Sequence, residues 1–199
     1  MTFLTDRQIR QRKPLEPFSE KEQFEFGDTT YLSGGLSSFG YDIRISEEAP
    51  PLLFHPSLVD RLRRFIGAET PHHGDRRYYR EMKTHVDTKM SKPSLYVVIP
   101  PHGFALAKSH EYFNMPVDLV GLCVGKSSWM RRGLLIDSAL IEPGWSGRLA
   151  MGLFNMNRYP VRVYLGTPIT QVCFLPVGLS ETVYKGGKYD KQDDNIIAR

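Results

Sequence analysis

The second half of the chain alternates short apolar runs with turn residues. From Leu95 onward, Pro, Gly and Asn separate seven such runs, which read LYVVIP, FALAKSHEYF, DLVGLCV, LLIDSALI, RLAMGLFN, VRVYL and TQVCFLP. Short runs bounded by these residues are typical of β-strands. No helical stretch long enough for a parallel crossover falls between them. The pattern therefore predicts an all-β fold with minor α, built as an antiparallel barrel or jelly roll.

Two further elements are predicted near the N-terminus. Residues 4–12 form a short helix, because Thr5 can cap its first turn and Asp6 places negative charge at the positive end of the helix dipole. Residues 41–45 alternate polar and apolar side chains as a half-buried strand does. Both elements are short, so they add to a fold that strands dominate.

Residues 55–92 differ from the rest in composition. The segment is cationic, contains four of the six histidines and lacks strand periodicity, so we expect a helical or loop insertion. At 61–65 and 76–80 it alternates cations with aromatic residues, as surfaces that bind single-stranded nucleic acid do. Because the net charge of the chain is modest, we favour a solvated helix face and expect no nucleic-acid ligand.

Length and charge narrow the class of protein. A chain of 199 residues with 41% hydrophobic content fits one domain, 1–199. Its final stretch, from about 180 to 199, is polar and contains glycines, which predicts a mobile tail. The net charge of +4 suits an anionic ligand, and a phosphorylated small molecule satisfies it as well as nucleic acid does.

Cysteine content and hydropathy point to an intracellular setting. Cys123 and Cys173 lie in apolar runs, where free thiols are usually buried, so neither a disulfide nor a metal site is indicated. No apolar run approaches the ~18 residues that a membrane span needs. We therefore expect a cytoplasmic protein without a membrane segment.

The run Gly-Lys-Ser-Ser at 125–128 is the strongest candidate for ligand binding. It is not a Walker A loop, because Val120 stands where that motif needs its first glycine and no following helix is predicted. Its chemistry still suits phosphate, since Lys126 is a cation and the hydroxyls of Ser127 and Ser128 can donate hydrogen bonds. A capped surface turn is the alternative interpretation.

Two arginines and two acids follow this run. On an extended segment Arg131 and Arg132 would point to opposite faces, so only one could join Lys126. Asp137 interrupts an apolar strand and is either edge-exposed or functional, because burial of an unpaired carboxylate is costly. Glu142 precedes a Pro-Gly turn and is either a turn residue or an active-site acid.

Two well-defined classes of hydrolase find no support in the spacing of residues. The chain lacks the His-x-Glu and Pro-Cys-x-x-Cys pair of the zinc nucleobase deaminases. It also lacks the Gly-x-Ser-x-Gly elbow of serine hydrolases. Any deamination by this chain would therefore be zinc-free.

Five ordered segments together resemble one family. They are GLSSFGYDIRI, VDLVGLCVGKSSWMRRGL, IEPGWSG, the strand with Gln171, and YKGGKYDKQ. In these segments the chain resembles the dCTP deaminases of the trimeric dUTPase superfamily, over most of its length outside 46–94. The resemblance implies a distorted, dUTPase-like β jelly roll and a homotrimer with sites between subunits. It also implies a deoxynucleoside triphosphate substrate, with Mg²⁺ held by its phosphates rather than by side chains.

The resemblance further implies roles for individual residues. Phosphate binding is assigned to two groups, one in the Gly-Lys-Ser-Ser run and one in the tail, which are Lys126, Ser127, Ser128, Tyr184, Lys188 and Gln192. Arg131 falls on the active-site arginine of the family. Glu142 matches the acid that activates water in the dUTPase branch, and Asp137 aligns with the stretch that contacts the base and the attacking water.

One position departs from the family pattern. The strand after WSG carries a glutamate in the deaminases, which moves protons from water to the ring nitrogen and the leaving amine, and here that place is Gly152. General acid–base assistance typically supplies ~10²- to 10⁴-fold of rate. No other acid stands between Glu142 and Glu181. A glycine inside a strand also indicates a bulge or a ligand close to the backbone.

Three interpretations follow from this departure. In the first, the protein deaminates a cytosine nucleotide, with Asp137 or Glu142 replacing the glutamate. In the second, it is a dUTPase-like diphosphatase, or it acts on a different or larger base that the room at Gly152 accommodates. In the third, it binds nucleotide without turnover, as a sensor. The family resemblance places deamination first and the diphosphatase second.

Overall fold

The computed structural model describes residues 2–26, 30–57, 76–89, 94–179 and 181–192. Within these ranges the helices and strands, in chain order, are α1 (Asp6–Arg12), β1 (Leu15–Glu16), β2 (Glu22–Phe26), β3 (Thr30–Ser37), β4 (Gly40–Arg44), β5 (Leu52–Phe54), β6 (Tyr79–Glu81), β7 (His85–Asp87), β8 (Ser94–Ile99), β9 (Phe104–Asn114), β10 (Leu119–Gly125), α2 (Ser127–Met130), β11 (Leu134–Ser138), β12 (Ser146–Asn155), β13 (Val161–Tyr164) and β14 (Pro168–Pro176).

The strands form three sheets in the described chain. The first has the order β11-β12-β9-β5-β6, with β1 paired on β9; the second is β10-β14-β4-β3-β2, and the third is β13-β8-β7. All pairs between these strands are antiparallel. The predicted all-β fold with minor α is confirmed, and each of the seven runs after Leu95 forms a strand.

Alternating burial along β12 shows how the large sheets share a core. Met151 and Leu153 on one face are fully buried, and they belong to the same hydrophobic cluster as Ile43 of β4 and Phe174 of β14. Gly152 on the other face is half-exposed. This alternation is the period of two that a strand imposes on its side chains. Gly152 therefore lies on the face of β12 that is turned away from this core.

Helix α1 is capped by Thr5 and ends at Arg12 as predicted, and it begins at Asp6 rather than at residue 4. Thr5 is its N-cap, and the Thr5 backbone amide donates to the Gln8 side-chain oxygen at 2.9 Å, as in a capping box. Ile9 is fully buried, and Arg12 forms an ion pair with Asp118 at 2.8 Å, which ties the helix to the start of β10. Among the described residues, no helix has the length and apolar character that crossing a bilayer requires.

Residues 55–92 depart from their prediction where the structure describes them. A 3-10 turn, Arg76–Tyr78, leads directly into β6, and β7 follows it, so this part contains strands and not only helix or loop. Each strand has three residues, which is too short for alternation to stand out in the sequence. The cationic run 61–65 lies outside the described residues.

The residues after β10 also differ from their prediction. Ser127–Met130 form α2, a single helical turn, and Arg131 is its C-cap. Trp129 anchors this turn, since it is fully buried and donates from Nε1 to the Pro168 carbonyl oxygen at 2.9 Å. Arg131 and Arg132 therefore continue a helical turn and do not point to opposite faces of an extended segment.

Candidate active site

A polar cavity of about 650 Å³ lies beside the Gly-Lys-Ser-Ser run. We call it the lysine cavity; it is lined by 125–128 and by side chains that include Arg10, Ser33, Asp42 and Gln171. The run enters the cavity where β10 passes close to β11. A Cβ at Gly125 would lie 2.8 Å from the carbonyl oxygen of the facing β11 strand, so only glycine permits this approach.

Lys126 is held in this cavity by a buried ion pair. Its Nζ lies 2.6 Å from Asp42 Oδ2, and the two side chains are only 10% and 3% exposed. Lys126 Nζ also donates to Ser33 Oγ at 3.0 Å, and Ser33 Oγ in turn donates to Asp42 Oδ2 at 3.1 Å. The other carboxylate oxygen, Asp42 Oδ1, is buried and has no hydrogen-bond partner among the described residues. A ligand that supplies a donor or a cation would satisfy it.

The charges around the lysine cavity balance one another. Three cations and three acids line it, namely Arg10, Lys21, Lys126, Asp6, Glu20 and Asp42. The Arg10 guanidinium donates two hydrogen bonds of 2.8 Å to Glu20, and these bonds lower the pKa of that carboxyl. A phosphate ligand therefore meets hydroxyls and partly compensated cations rather than an excess of positive charge.

A second cavity, of about 350 Å³, lies at the C-terminal tail. We call it the tail cavity; its walls are mainly apolar, and it is lined by residues that include Leu106, Glu142, Trp145, Tyr184 and Gln192. Glu142 is exposed and is the acid among the lining residues. The predicted water-activating residue thus shares a cavity with two of the predicted tail residues.

The tail reaches this cavity because it pairs with the start of β12. The Lys191 amide donates to the Ser146 carbonyl oxygen at 2.8 Å, and the Arg148 amide donates to the Gln192 carbonyl oxygen at 2.6 Å. Trp145 Nε1 donates to the Tyr189 carbonyl oxygen at 2.8 Å. In the structure residues 181–192 therefore lie against their own chain, and the mobility of the tail stays a prediction.

Asp190 closes the loop of the tail on itself. Its carboxylate accepts a hydrogen bond from the Gly186 amide at 2.8 Å and another from the Ser146 hydroxyl at 3.1 Å. The amide of Gly186 is the main cause that lowers the pKa of Asp190, and the Ser146 hydroxyl acts in the same direction. The ionised carboxylate therefore stabilises the docked tail.

The surroundings of Gly152 explain why the strand tolerates a glycine. Gly152 pairs with Asp137 on β11 and with Leu106 on β9. The rings of Phe104 and Phe154 lie over it with centroids 4.5 Å apart, and a Cβ at position 152 would come within 3.1 Å of both. The space is filled by aromatic rings, so the expected room for a larger base is not present.

The register of β12 settles a second expectation about this glycine. Gly152 lies in a regular stretch of the ladder, and the irregularity of the β12–β9 pair falls between Arg148 and Ala150. The glycine is therefore not at a bulge. The absence of a side chain at position 152 leaves space for the rings of Phe104 and Phe154.

The predicted site residues fall into three places. Lys126, Ser127 and Ser128 line the lysine cavity. Glu142, Tyr184 and Gln192 line the tail cavity. The exposed residues Arg131, Asp137 and Lys188 line neither. Asp137 lies on the edge strand β11, as one of its two interpretations required.

Sequence reasoning did not find Asp42, the partner of Lys126. No clear signal marked it, because Asp42 occupies a polar position in the alternating run 41–45 and so resembles a solvent-facing residue, although the structure buries it. Cys123 and Cys173 are both free, as predicted, and burial raises the pKa of the Cys123 thiol to about 12. That thiol is therefore protonated and unreactive at neutral pH.

Comparison with known proteins gives this geometry a family. A family model described as dCTP deaminase-like matches residues 4–177. The chain belongs to this family. It is 30% identical over 207 aligned residues to a dCTP deaminase of Ectopseudomonas mendocina, covering 100% of both chains. It is also 30% identical over 201 residues to a dCTP deaminase of Acinetobacter baumannii, covering 96% of each.

One solved structure agrees with this family at the level of fold. The crystal structure of 2'-deoxycytidine 5'-triphosphate deaminase from Agrobacterium tumefaciens matches 88% of this chain, with a TM-score of 0.53 and 16% identity. This chain covers 48% of that one, about half of its length. A native EIAV dUTPase matches 52% of this chain, with a TM-score of 0.38 and 20% identity. The replacement of a family glutamate by Gly152 stays a prediction.

Proposed function

We propose that the chain is a zinc-independent hydrolase that deaminates dCTP to dUTP, with Asp137 replacing the glutamate expected in β12. One observation supports this assignment above the others. Asp137 pairs directly with Gly152, so the two positions present their side chains on the same face of the sheet. Directly opposed Cβ positions lie about 4.5–5.5 Å apart, so a carboxylate at 137 lies beside position 152 and the rings that cover it.

The carboxylate of Asp137 is exposed, so it is accessible to water and to a bound base. In the reaction, the oxygen of a water molecule bonds to C4 of cytosine while the carboxylate accepts its proton and delivers it to N3. The bond between C4 and the amino nitrogen then breaks, the nitrogen takes the second proton of the same water and leaves as ammonia, and the oxygen stays on C4 as a carbonyl. Asp137 is the group that we assign to these transfers, and assistance of this kind supplies ~10²- to 10⁴-fold of rate.

We further infer that each site is shared between copies of the chain in a homotrimer. Within one chain, Lys126 and Ser127 line the lysine cavity, whereas Glu142, Tyr184 and Gln192 line the tail cavity. One nucleotide can contact both sets if the lysine cavity of one copy faces the tail cavity of the next. The separation of the two sets in a single chain supports this arrangement.

Mg²⁺ would enter with the triphosphate. The balanced charges of the lysine cavity leave the phosphates in need of further positive charge. Asp42 Oδ1, which is buried and without a partner among the described residues, fits a hard cation or one of its water ligands. The metal would supply charge neutralisation of the phosphates, while Lys126, Ser127 and Ser128 orient them.

Two observations each favour one of the other interpretations. Glu142 lies in the tail cavity beside Tyr184 and Gln192, which favours phosphoanhydride cleavage as the second candidate. The rings of Phe104 and Phe154 over position 152 favour binding without turnover, because they cover the region where a proton-transfer group is expected.

Product analysis separates the three candidates. Incubation with Mg²⁺ and each canonical deoxynucleoside triphosphate should release ammonia from dCTP. We expect Asp137→Asn to lower that rate by ~10²-fold or more with binding retained. Glu181→Gln, an exposed acid outside both cavities, is the matched control and should leave the rate unchanged.

Other outcomes would redirect the assignment. Pyrophosphate release that Glu142→Gln abolishes would establish the diphosphatase, and thermal stabilisation by nucleotides without any product would establish a sensor. The shared site has its own test: mixing Ser127→Ala with Gln192→Ala, one variant in each cavity, should restore part of the activity that each variant alone loses. A mixture as inactive as its components would contradict a site between copies.

A further inference from the structure

The positive charge of the chain is concentrated in the segment 55–92. This segment contains nine of the 26 Lys and Arg residues and five of the 22 Asp and Glu residues, a balance of +4. The remaining 17 cations are matched by 17 acids, so the whole net charge of the protein belongs to this segment. The distribution of charge, rather than its modest total, therefore points to an anionic partner for this region.

The described part of the segment forms a basic groove of about 230 Å³ between β6 and β7. Its basic lining residues are His55, Arg80, Lys83 and His85, and Glu81 is the acid among the lining residues. Arg80 and Lys83 are exposed, and neither forms an ion pair with another described residue. Two exposed cations in one groove are suited to successive phosphate groups.

Half-exposed rings border this groove. The His85 imidazole, which lines the groove, stacks on the Tyr96 ring with centroids 5.2 Å apart and planes inclined by 21°. The Arg162 guanidinium lies 5.0 Å from the centroid of the Tyr96 ring. Beside the start of β6, the Arg77 guanidinium lies 5.8 Å from the centroid of the Tyr78 ring. Bases stack on such rings without regard to sequence.

We propose that this surface, which we call the β6–β7 groove, binds single-stranded nucleic acid, contrary to the expectation drawn above from the net charge of the whole chain. Arg80 and Lys83 contact phosphates, and the His85–Tyr96 stack provides a platform for a base. Cations flanked by aromatic rings are the combination by which proteins hold single strands. The groove shares no lining residue with the lysine cavity or the tail cavity. This proposal is therefore independent of the enzymatic one.

The test is fluorescence anisotropy with a labelled oligodeoxythymidine of about 20 nucleotides, a length that exceeds typical single-strand sites. We expect the double variant Arg80→Gln/Lys83→Gln to bind the oligonucleotide at least about 10-fold more weakly near 100 mM salt. The slope of log K against log salt should fall in magnitude by about 1.4, since each single-strand phosphate contact contributes about 0.7. The charge-matched control Arg7→Gln/Arg158→Gln, at exposed positions that do not line the groove, should change neither quantity.

A third variant tests the stacking platform. His85→Leu should weaken binding of the oligonucleotide while leaving the salt slope unchanged, because it removes a ring and no phosphate contact. Thermal unfolding of each variant shows whether the fold is retained. The proposal is overturned if no oligonucleotide binds, if both double variants lose affinity equally, or if free deoxynucleoside triphosphates compete as well as the oligonucleotide. Binding to anionic vesicles with none to oligonucleotide would also overturn it.

Discussion

The lysine cavity and the tail cavity are built on different principles. The first is polar, and its central cation is fixed by a buried ion pair between Lys126 and Asp42. The second is mainly apolar, and part of its wall is a tail that pairs with β12 through a few backbone hydrogen bonds. Buried ion pairs resist disruption strongly, whereas terminal segments open at low free-energy cost. One cavity is therefore preformed by the core, and the other depends on the position of the tail.

The largest effect is expected from removal of the buried cation, which tests whether the ion pair preforms the lysine cavity. Lys126→Met leaves Asp42 buried without its ion pair, so we expect the free energy of unfolding to fall by about 3–5 kcal/mol. Urea denaturation measures the loss. The control is Lys21→Met, at an exposed cation that also lines the lysine cavity, and it should cost far less.

A double variant tests the cause of that loss. Lys126→Met combined with Asp42→Asn removes the uncompensated charge and should recover a large part of the stability. Equal costs for Lys126→Met and Lys21→Met would mean that the lysine cavity is not preformed by its ion pair.

The second prediction concerns the tail cavity and Gly147. This glycine has φ +144°, and a Cβ there would lie 2.7 Å from the Gln192 carbonyl oxygen. Gly147→Ala should therefore displace the tail and cost about 1–3 kcal/mol in backbone strain. Hydrogen exchange should show lost protection at the amides of Arg148 and Lys191.

Its matched control is Gly178→Ala, because a Cβ at that position meets no atom within 4 Å. Protection of the same amides should be unchanged in the control. Unchanged protection in Gly147→Ala would show that the tail does not depend on contact with residue 147.

The smallest expected effect is the pH dependence of tail docking. The pKa of Asp190 is lowered in the folded chain, chiefly by the Gly186 amide, so the ionised carboxylate favours docking. This contribution is fully present above the ordinary pKa of an aspartate, near ~4, and is lost as the pH falls through the lowered value. Asp190→Asn should remove the dependence. The measurement is the NMR shift of the Gly186 amide between about pH 6 and pH 2, and a transition retained in Asp190→Asn would contradict the assignment.

Local patterns predicted the elements that are long and well bounded. The strands after Leu95 were visible because turn residues enclose each of them, and α1 was visible through Thr5 and Asp6. Strands of three residues, such as β6 and β7, leave no periodic signal. Sequence spacing therefore recovers most of the second half of the fold and misses the short pairings before it.

The sequence names individual candidate residues of the site but does not predict how they are arranged. Lys126 meets Asp42 because β14 lies between β10 and β4, and no local pattern encodes that strand order. The parallel bridge from Gly147 to Gln192 is likewise a long-range pairing. The rings over Gly152 come from a neighbouring strand and from its own, so the reason for that glycine appears only when β9 and β12 are aligned.

The placement of the two tryptophans allows intrinsic fluorescence to report on the tail and on the core separately. Trp129 is fully buried within the turn that carries Ser127 and Ser128, while Trp145 lies in the tail cavity and its indole nitrogen donates a hydrogen bond to the tail. Departure of the tail would uncover one fluorophore and leave the other in the core. Red-shifted, iodide-quenchable emission would therefore report an open tail cavity, while the blue-shifted component from Trp129 would persist until the fold itself is lost.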